Sequence, residues 1–188
     1  SNCWRTQLED GVAVESLVEL AVEDGFRFIE LRQGCLGDLE DRDSLLPKPG
    51  RLAELAERFA GVQFDLAVQL PFFSTALLSD SHGMPQMLDA AASIGGHLRI
   101  VDLQTTAPVA SQSFLELRAS QFDEWQSRLG GVATVSIEHA MQPWSDFWSA
   151  FEPLWSVAPE LLKLCYDPCN LLLTDDGERA AEITSSIP

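Results

Sequence analysis

The chain has 188 residues, 46% of them hydrophobic, and sets 12 lysines and arginines against 29 aspartates and glutamates, a formal net charge of −17. That length favours one domain, residues 1–188, whose core needs no disulfide staples, while that charge repels phosphate backbones and argues against a nucleic-acid partner. No apolar run approaches the roughly 20 residues of a membrane span and no signal-like segment opens the sequence, so a cytoplasmic chain without a membrane partner is expected.

Strands and helices alternate along the chain. A short strand is expected to end at Cys3-Trp4. Helical periodicity runs from Val14 to Val22 and stops at Asp24-Gly25. Phe26 to Leu31 reads as a strand, and Cys35 to Gly50 as a long polar loop that is either a lid or solvated chain. A helix over Leu52 to Ala60 leads into a strand over Phe64 to Leu70, closed by Pro71. Met84 to Ile94 is helical with Gly95-Gly96 as its stop, and Leu98 to Val101 is the next strand. The helix from Ser113 to Leu129 precedes a strand ending at Glu138. A helix from about Ser145 to Val157 then precedes a strand ending at Asp167, and a last helix covers about Gly177 to Thr184. Trp125, Trp144, Trp148 and Trp155 fall at core-like helical spacing. Cys3, Cys35, Cys165 and Cys169 form no Cys-x-x-Cys pair and are expected as reduced thiols.

This alternation implies right-handed βαβ units and a parallel sheet. An open doubly wound sheet would show a glycine-rich phosphate turn after its first strand, and none is present. The strand parities favour the other arrangement. In Thr134-Val135-Ser136-Ile137-Glu138 and Leu162-Lys163-Leu164-Cys165-Tyr166-Asp167, large apolar residues alternate with polar ones, and the carboxylate falls on the polar side. Asp65, Ala67 and Gln69 share one parity against Phe64, Leu66 and Val68. The expected fold is therefore α/β and (β/α)8 TIM-barrel-like, with about six βα units in this chain. Glu138 and Asp167 would emerge side by side at the C-terminal ends of neighbouring strands, about 4.8 Å apart. Carboxylates that close hold a divalent cation, share a proton or pair with a buried base.

Three segments carry a resemblance. Leu17-Val18-Glu19-Leu20-Ala21-Val22-Glu23-Asp24-Gly25-Phe26-Arg27-Phe28-Ile29-Glu30-Leu31-Arg32, Ser136-Ile137-Glu138-His139 and Leu164-Cys165-Tyr166-Asp167-Pro168-Cys169-Asn170 resemble the xylose isomerase-like barrels, the sugar phosphate isomerases and epimerases. The resemblance places Asn170 where the family usually carries His, and Gln69 where endonuclease IV-like members carry His. It also implies that the last two βα units are lacking, which would leave open barrel edges able to drive homo-oligomer formation. With only His82, His97 and His139 in the chain, and a charge of −17, the endonuclease reading fails.

The resemblance implies a divalent-metal-dependent isomerase or epimerase of carbohydrate metabolism, acting by proton transfer on a small sugar-like or hydroxy-keto substrate. Glu138 would be metal ligand and base, Asp167 a ligand, and Asn170 a weak ligand or substrate contact. That oxygen set suits Mg²⁺ or Mn²⁺ better than Zn²⁺. Glu30 would line the mouth or pair with Arg32 or Arg5, Gln69 would bind a hydroxyl or cap its turn, and Trp4 would wall the sugar face. Lys163 shares the parity of Asp167 and would neutralise Glu138 or Asp167, taking the place of a metal, or serve as a Schiff-base lysine. His139 is expected as a structural histidine. The alternative is a non-catalytic, degenerate barrel relative that binds a small polar ligand or a partner chain.

Overall fold

The computed structural model describes residues 2–74, 83–104, 111–131, 133–174 and 176–187; His82 lies outside them. The elements are α1 (Arg5–Glu9), α2 (Val14–Glu23), β1 (Phe28–Arg32), α3 (Pro49–Arg58), β2 (Gln63–Gln69), α4 (Met84–Ser93) and β3 (Leu98–Val101). They continue with α5 (Gln112–Arg128), β4 (Val135–Glu138), α6 (Trp144–Val157), β5 (Leu162–Cys165) and α7 (Ala180–Ser186). The five strands form one parallel sheet in the order β1-β2-β3-β4-β5.

The expected first strand is corrected. Asn2–Trp4 is a short 3-10 helix that runs directly into α1. Trp4 and Leu8 pack on the core while Arg5, Thr6 and Gln7 are exposed, the four-residue period of a helix. A strand would have carried Thr6 inward with Trp4. The described residues therefore hold five strands rather than six, with β1 and β5 at the sheet edges.

Sequential strand order has a direct consequence. A right-handed crossover between neighbouring parallel strands always places its helix on the same side of the sheet. Here α3 packs on α4, α4 on α5 and α5 on α6. Beneath them lies one apolar face, made by Ile29, Leu31, Phe64, Leu66, Val68, Leu98, Ile100, Val135, Ile137 and Leu162, all buried in a single core cluster. Ser111 caps α5 by accepting from the Phe114 N–H at 3.3 Å. In α6 the rings of Trp144 and Trp148 stack at 5.5 Å, and those of Phe147 and Phe151 at 5.5 Å. Trp125 and Trp144 are buried, the packing role their spacing predicts.

The opposite sheet face is polar. One rung of the register reads Arg32, Ala67, Arg99, Ser136, Lys163 from β1 to β5. The rung toward the C-terminal end reads Gln69, Val101, Glu138, Cys165. In the other direction Glu30 stands beside Asp65. A row of cations is thus flanked above and below by carboxylates.

The segment after β1 is built rather than loose. Glu40 is only 5% exposed, and its carboxylate accepts from the Gly34 N–H at 2.8 Å and the Leu36 N–H at 3.1 Å. Gly34 has φ 78°, a conformation side chains resist, which turns the chain back to meet that carboxylate. Asp41 Oδ1 accepts from the Asp43 and Ser44 N–H groups, and Glu40 bridges to Pro47.

Candidate functional site

The centre of the polar face is Arg99. Its Nε donates to Glu30 Oε2 at 2.8 Å, its Nη2 donates to Glu30 Oε1, and its Nη1 donates to Glu138 Oε2. Glu30 lies on β1, two strands away, and Glu138 on β4. The residue between Arg99 and β1 in the register is Ala67, small enough for a guanidinium to reach past it. Burial alone would lower the pKa of Arg99, but the bond to Glu30 and the charges of Glu138 and Glu30 outweigh it and raise the pKa. The neighbouring Cys165 thiol is pushed up, chiefly by burial, with Arg99 pulling the other way.

Asn170 completes the arrangement around Glu138. Its Nδ2 donates to Glu138 Oε1 at 3.3 Å and to the His139 carbonyl at 2.7 Å. Both partners are acceptors, so the amide nitrogen and not the oxygen faces them. Asp167 lies past the end of β5, not within it. It caps the 3-10 helix Pro168–Leu173, Oδ1 accepting from the Cys169 N–H at 2.9 Å.

This donor set does not fit a divalent cation. Both oxygens of Glu138 accept hydrogen bonds, Asn170 offers a donor, and Asp167 is turned to its own helix cap. Among the described residues no group of three His, Cys, Asp or Glu side chains converges as a metal would require.

Lys163 has the right parity and the wrong direction. Its Nζ donates to the Pro159 carbonyl at 2.7 Å, back toward the start of β5. The counter-charge expected of it belongs to Arg99. Arg99 was detectable: in Leu98-Arg99-Ile100-Val101 it is the single charge, on the parity opposite Leu98 and Ile100. Gln69 donates its N–H to Gln33 Oε1 at 2.8 Å, a bond that ties the ends of β1 and β2 together. Trp4 is half-buried against the core. His139 is buried: its Nε2 donates to the Gln142 carbonyl at 2.9 Å, and its ring meets Trp144 and Phe147 edge-on.

A cavity of about 680 Å³ opens at the C-terminal ends of β1 and β2, lined among others by Arg5, Arg32, Gln33, Cys35, Glu40 and Gln69. Arg32 belongs to the same rung as Arg99, so the cavity lies at one end of the cation row. On the floor of the polar face, His97 Nδ1 and Nε2 meet the Thr134 and Ser136 hydroxyls at 2.5 and 2.6 Å. No helix among the described residues is long and apolar enough to cross a membrane. No protein-family model matches the chain, and neither a curated protein nor a solved structure matches it.

Proposed function

We propose that the polar sheet face binds a small sugar-like molecule, in a non-catalytic relative of the xylose isomerase-like barrels. The observation that carries this reading is Arg99 seated between Glu30 and Glu138. A fixed guanidinium supplies there the positive charge that a divalent cation supplies in a metal-dependent isomerase. Three of its five N–H donors go to the two carboxylates, and the others remain for a ligand oxygen or the Cys165 thiol. The carboxylates, on the rungs above and below Arg99, keep lone pairs able to accept sugar hydroxyls, so donors and acceptors alternate along the strand direction as they do around a sugar ring. The competing proposal, a metal-dependent isomerase or epimerase with Glu138 as base, requires the guanidinium to leave Glu138.

A heteronuclear NMR titration with ribose tests the binding reading. Saturable shifts in β1, β3 and β4, weakened about tenfold by Glu30→Gln in a chain that still gives a folded spectrum, are expected for loss of a charge-assisted hydrogen bond. Shifts indifferent to Glu30→Gln, or no shifts, would contradict it.

A further inference from the structure

We infer that Ser136 is an activated nucleophile that takes an acyl group from an activated ester, with His97 as its base. The pair lies on the polar face toward the start of the strands, and the inference does not rest on the sugar reading.

Thr134 and Ser136 are two residues apart on one extended segment, so their hydroxyls share the polar side and flank a single imidazole. Ser136 Oγ stands 2.6 Å from His97 Nε2, and Thr134 Oγ1 stands 2.5 Å from Nδ1. Asp65 Oδ1 accepts from the His97 N–H at 2.9 Å, which fixes the backbone that carries the ring. Burial decides the tautomer. Ser136 is 3% exposed, and among the described residues Nε2 is the one hydrogen-bond partner of its hydroxyl. With the ring hydrogen on Nε2, that buried hydroxyl would hold its own hydrogen with no acceptor, which is costly. The ring hydrogen therefore sits on Nδ1 and is donated to Thr134 Oγ1, while Nε2 accepts from Ser136. A hydroxyl bonded to a base that a third group orients is the arrangement that activates a serine.

The surrounding charges favour the same step. In the register Ser136 stands between Arg99 and Lys163, so a carbonyl oxygen that turns negative there forms beside two cations. Lys163 leans toward the start of β5, the end at which His97 and Thr134 sit. Burial is the main cause that lowers the pKa of His97; Asp65 and Glu30 oppose it, and Arg99 and Lys163 reinforce it. The neutral ring is the form that can take a proton. In the step, the Ser136 hydroxyl proton passes to His97 Nε2 as Oγ bonds the carbonyl carbon. The bond from that carbon to the leaving oxygen then breaks, the oxygen departs with the electron pair, and Nε2 gives the proton to it or to water. A hydroxyl behind the imidazole makes a weaker base than a carboxylate would, so the leaving group must be a good one. Hydrolysis of the product requires water at a nearly buried serine. The acyl group therefore stays, and each chain reacts once without turnover.

The test is reaction with p-nitrophenyl acetate, read as nitrophenolate released per chain and as the position of the acetyl group by peptide mass mapping. The expected result is a burst of about one equivalent with the acetyl group on Ser136. Ser136→Ala abolishes the burst. His97→Gln, which keeps the serine, slows it about a hundredfold in a chain that still gives a folded spectrum. Thr134→Val also slows it, and Thr134→Ser restores it. The rate rises with pH to a plateau, with a midpoint below the ordinary imidazole value of about 6.5, and His97→Gln loses that step. Absence of a burst, acetyl groups confined to cysteines and lysines, or a Ser136 adduct that forms as fast in His97→Gln overturns the inference.

Discussion

Arg99 and Glu30 stand two strands apart, on β3 and β1, and are joined by paired hydrogen bonds that pass over Ala67, with Nε to Oε2 at 2.8 Å. The pair ties an edge strand to the middle of the sheet through side chains, on the face opposite the apolar one that α3, α4, α5 and α6 cover. Its second arm, to Glu138, ties β4 into the same network.

Removing Arg99 leaves Glu138, 8% exposed, as a buried carboxylate short of its counter-charge. Arg99→Met is expected to cost about 3 kcal/mol, near the low end for a broken buried pair because the guanidinium is partly solvated. Arg99→Lys restores charge but not the two-pronged geometry and is expected to recover less than half. Urea unfolding of both variants reads this directly. Equal stability of Arg99→Met and the unmodified chain would show that the network is idle.

Ala67 is 1% exposed and its register neighbours are Arg32 and Arg99. Ala67→Leu would fill the space the guanidinium passes over, and a loss of about 1–3 kcal/mol is expected from overpacking. The companion double variant with Glu30→Gln should lose less than the sum, because the bridge is already broken. Additivity in the cycle would contradict the proposed path of the side chain.

Arg118 is fully buried, yet it makes hydrogen bonds from Nε to the Phe72 carbonyl at 2.8 Å, Nη2 to the Ser74 carbonyl at 2.6 Å and Nη1 to Gln121 Oε1 at 2.9 Å. Burial pushes its pKa down to about 10, with Asp102 opposing the shift. It pins the chain that follows β2 against α5. Arg118→Met would strand those carbonyls and is expected to lower stability by about 3 kcal/mol, seen as a drop in Tm. A change within about 0.5 kcal/mol would contradict that anchoring role.

The histidines set a pH dependence. Burial lowers the pKa of His97 and of His139, so the native state holds both rings neutral more firmly than the unfolded chain does. Their contribution is complete above the unfolded value of about 6.5 and is lost as pH falls through the lowered native values. For His139 the cause is visible: its buried Nδ1 has no hydrogen-bond partner among the described residues, and a protonated ring would carry its charge between Trp144 and Phe147. The urea midpoint is expected to fall between pH 7 and pH 5, and His97→Gln should flatten part of that slope. A midpoint that rises over this interval would contradict the assignment.

Much of the architecture was legible because the strands read in period two. Ile29, Phe64, Leu98, Val135 and Leu162 all lie on the helix-covered side, and Glu30, Asp65 and Glu138 on the other. The first strand was misread because Cys3-Trp4 is too short to show a period, and only Leu8 reveals it as helical. Asp167 carried a signal that its strand parity concealed. Asp followed by Pro is a capping residue before a first helical position, and the side chain turns to that duty. Lys163 and Arg99 share a rung, but parity fixes only the face, not which way a long side chain leans. Lys163 finds the Pro159 carbonyl close by at the sheet edge, whereas Arg99 lies between two carboxylates.

The most direct measurement is calorimetric titration with Mn²⁺ of the unmodified chain and of Glu138→Gln. With Arg99 seated between the carboxylates, no saturable heat is expected from either protein. One-site binding to the unmodified chain that Glu138→Gln abolishes would contradict the account, because it would place a metal where the guanidinium sits and restore the metal-dependent isomerase.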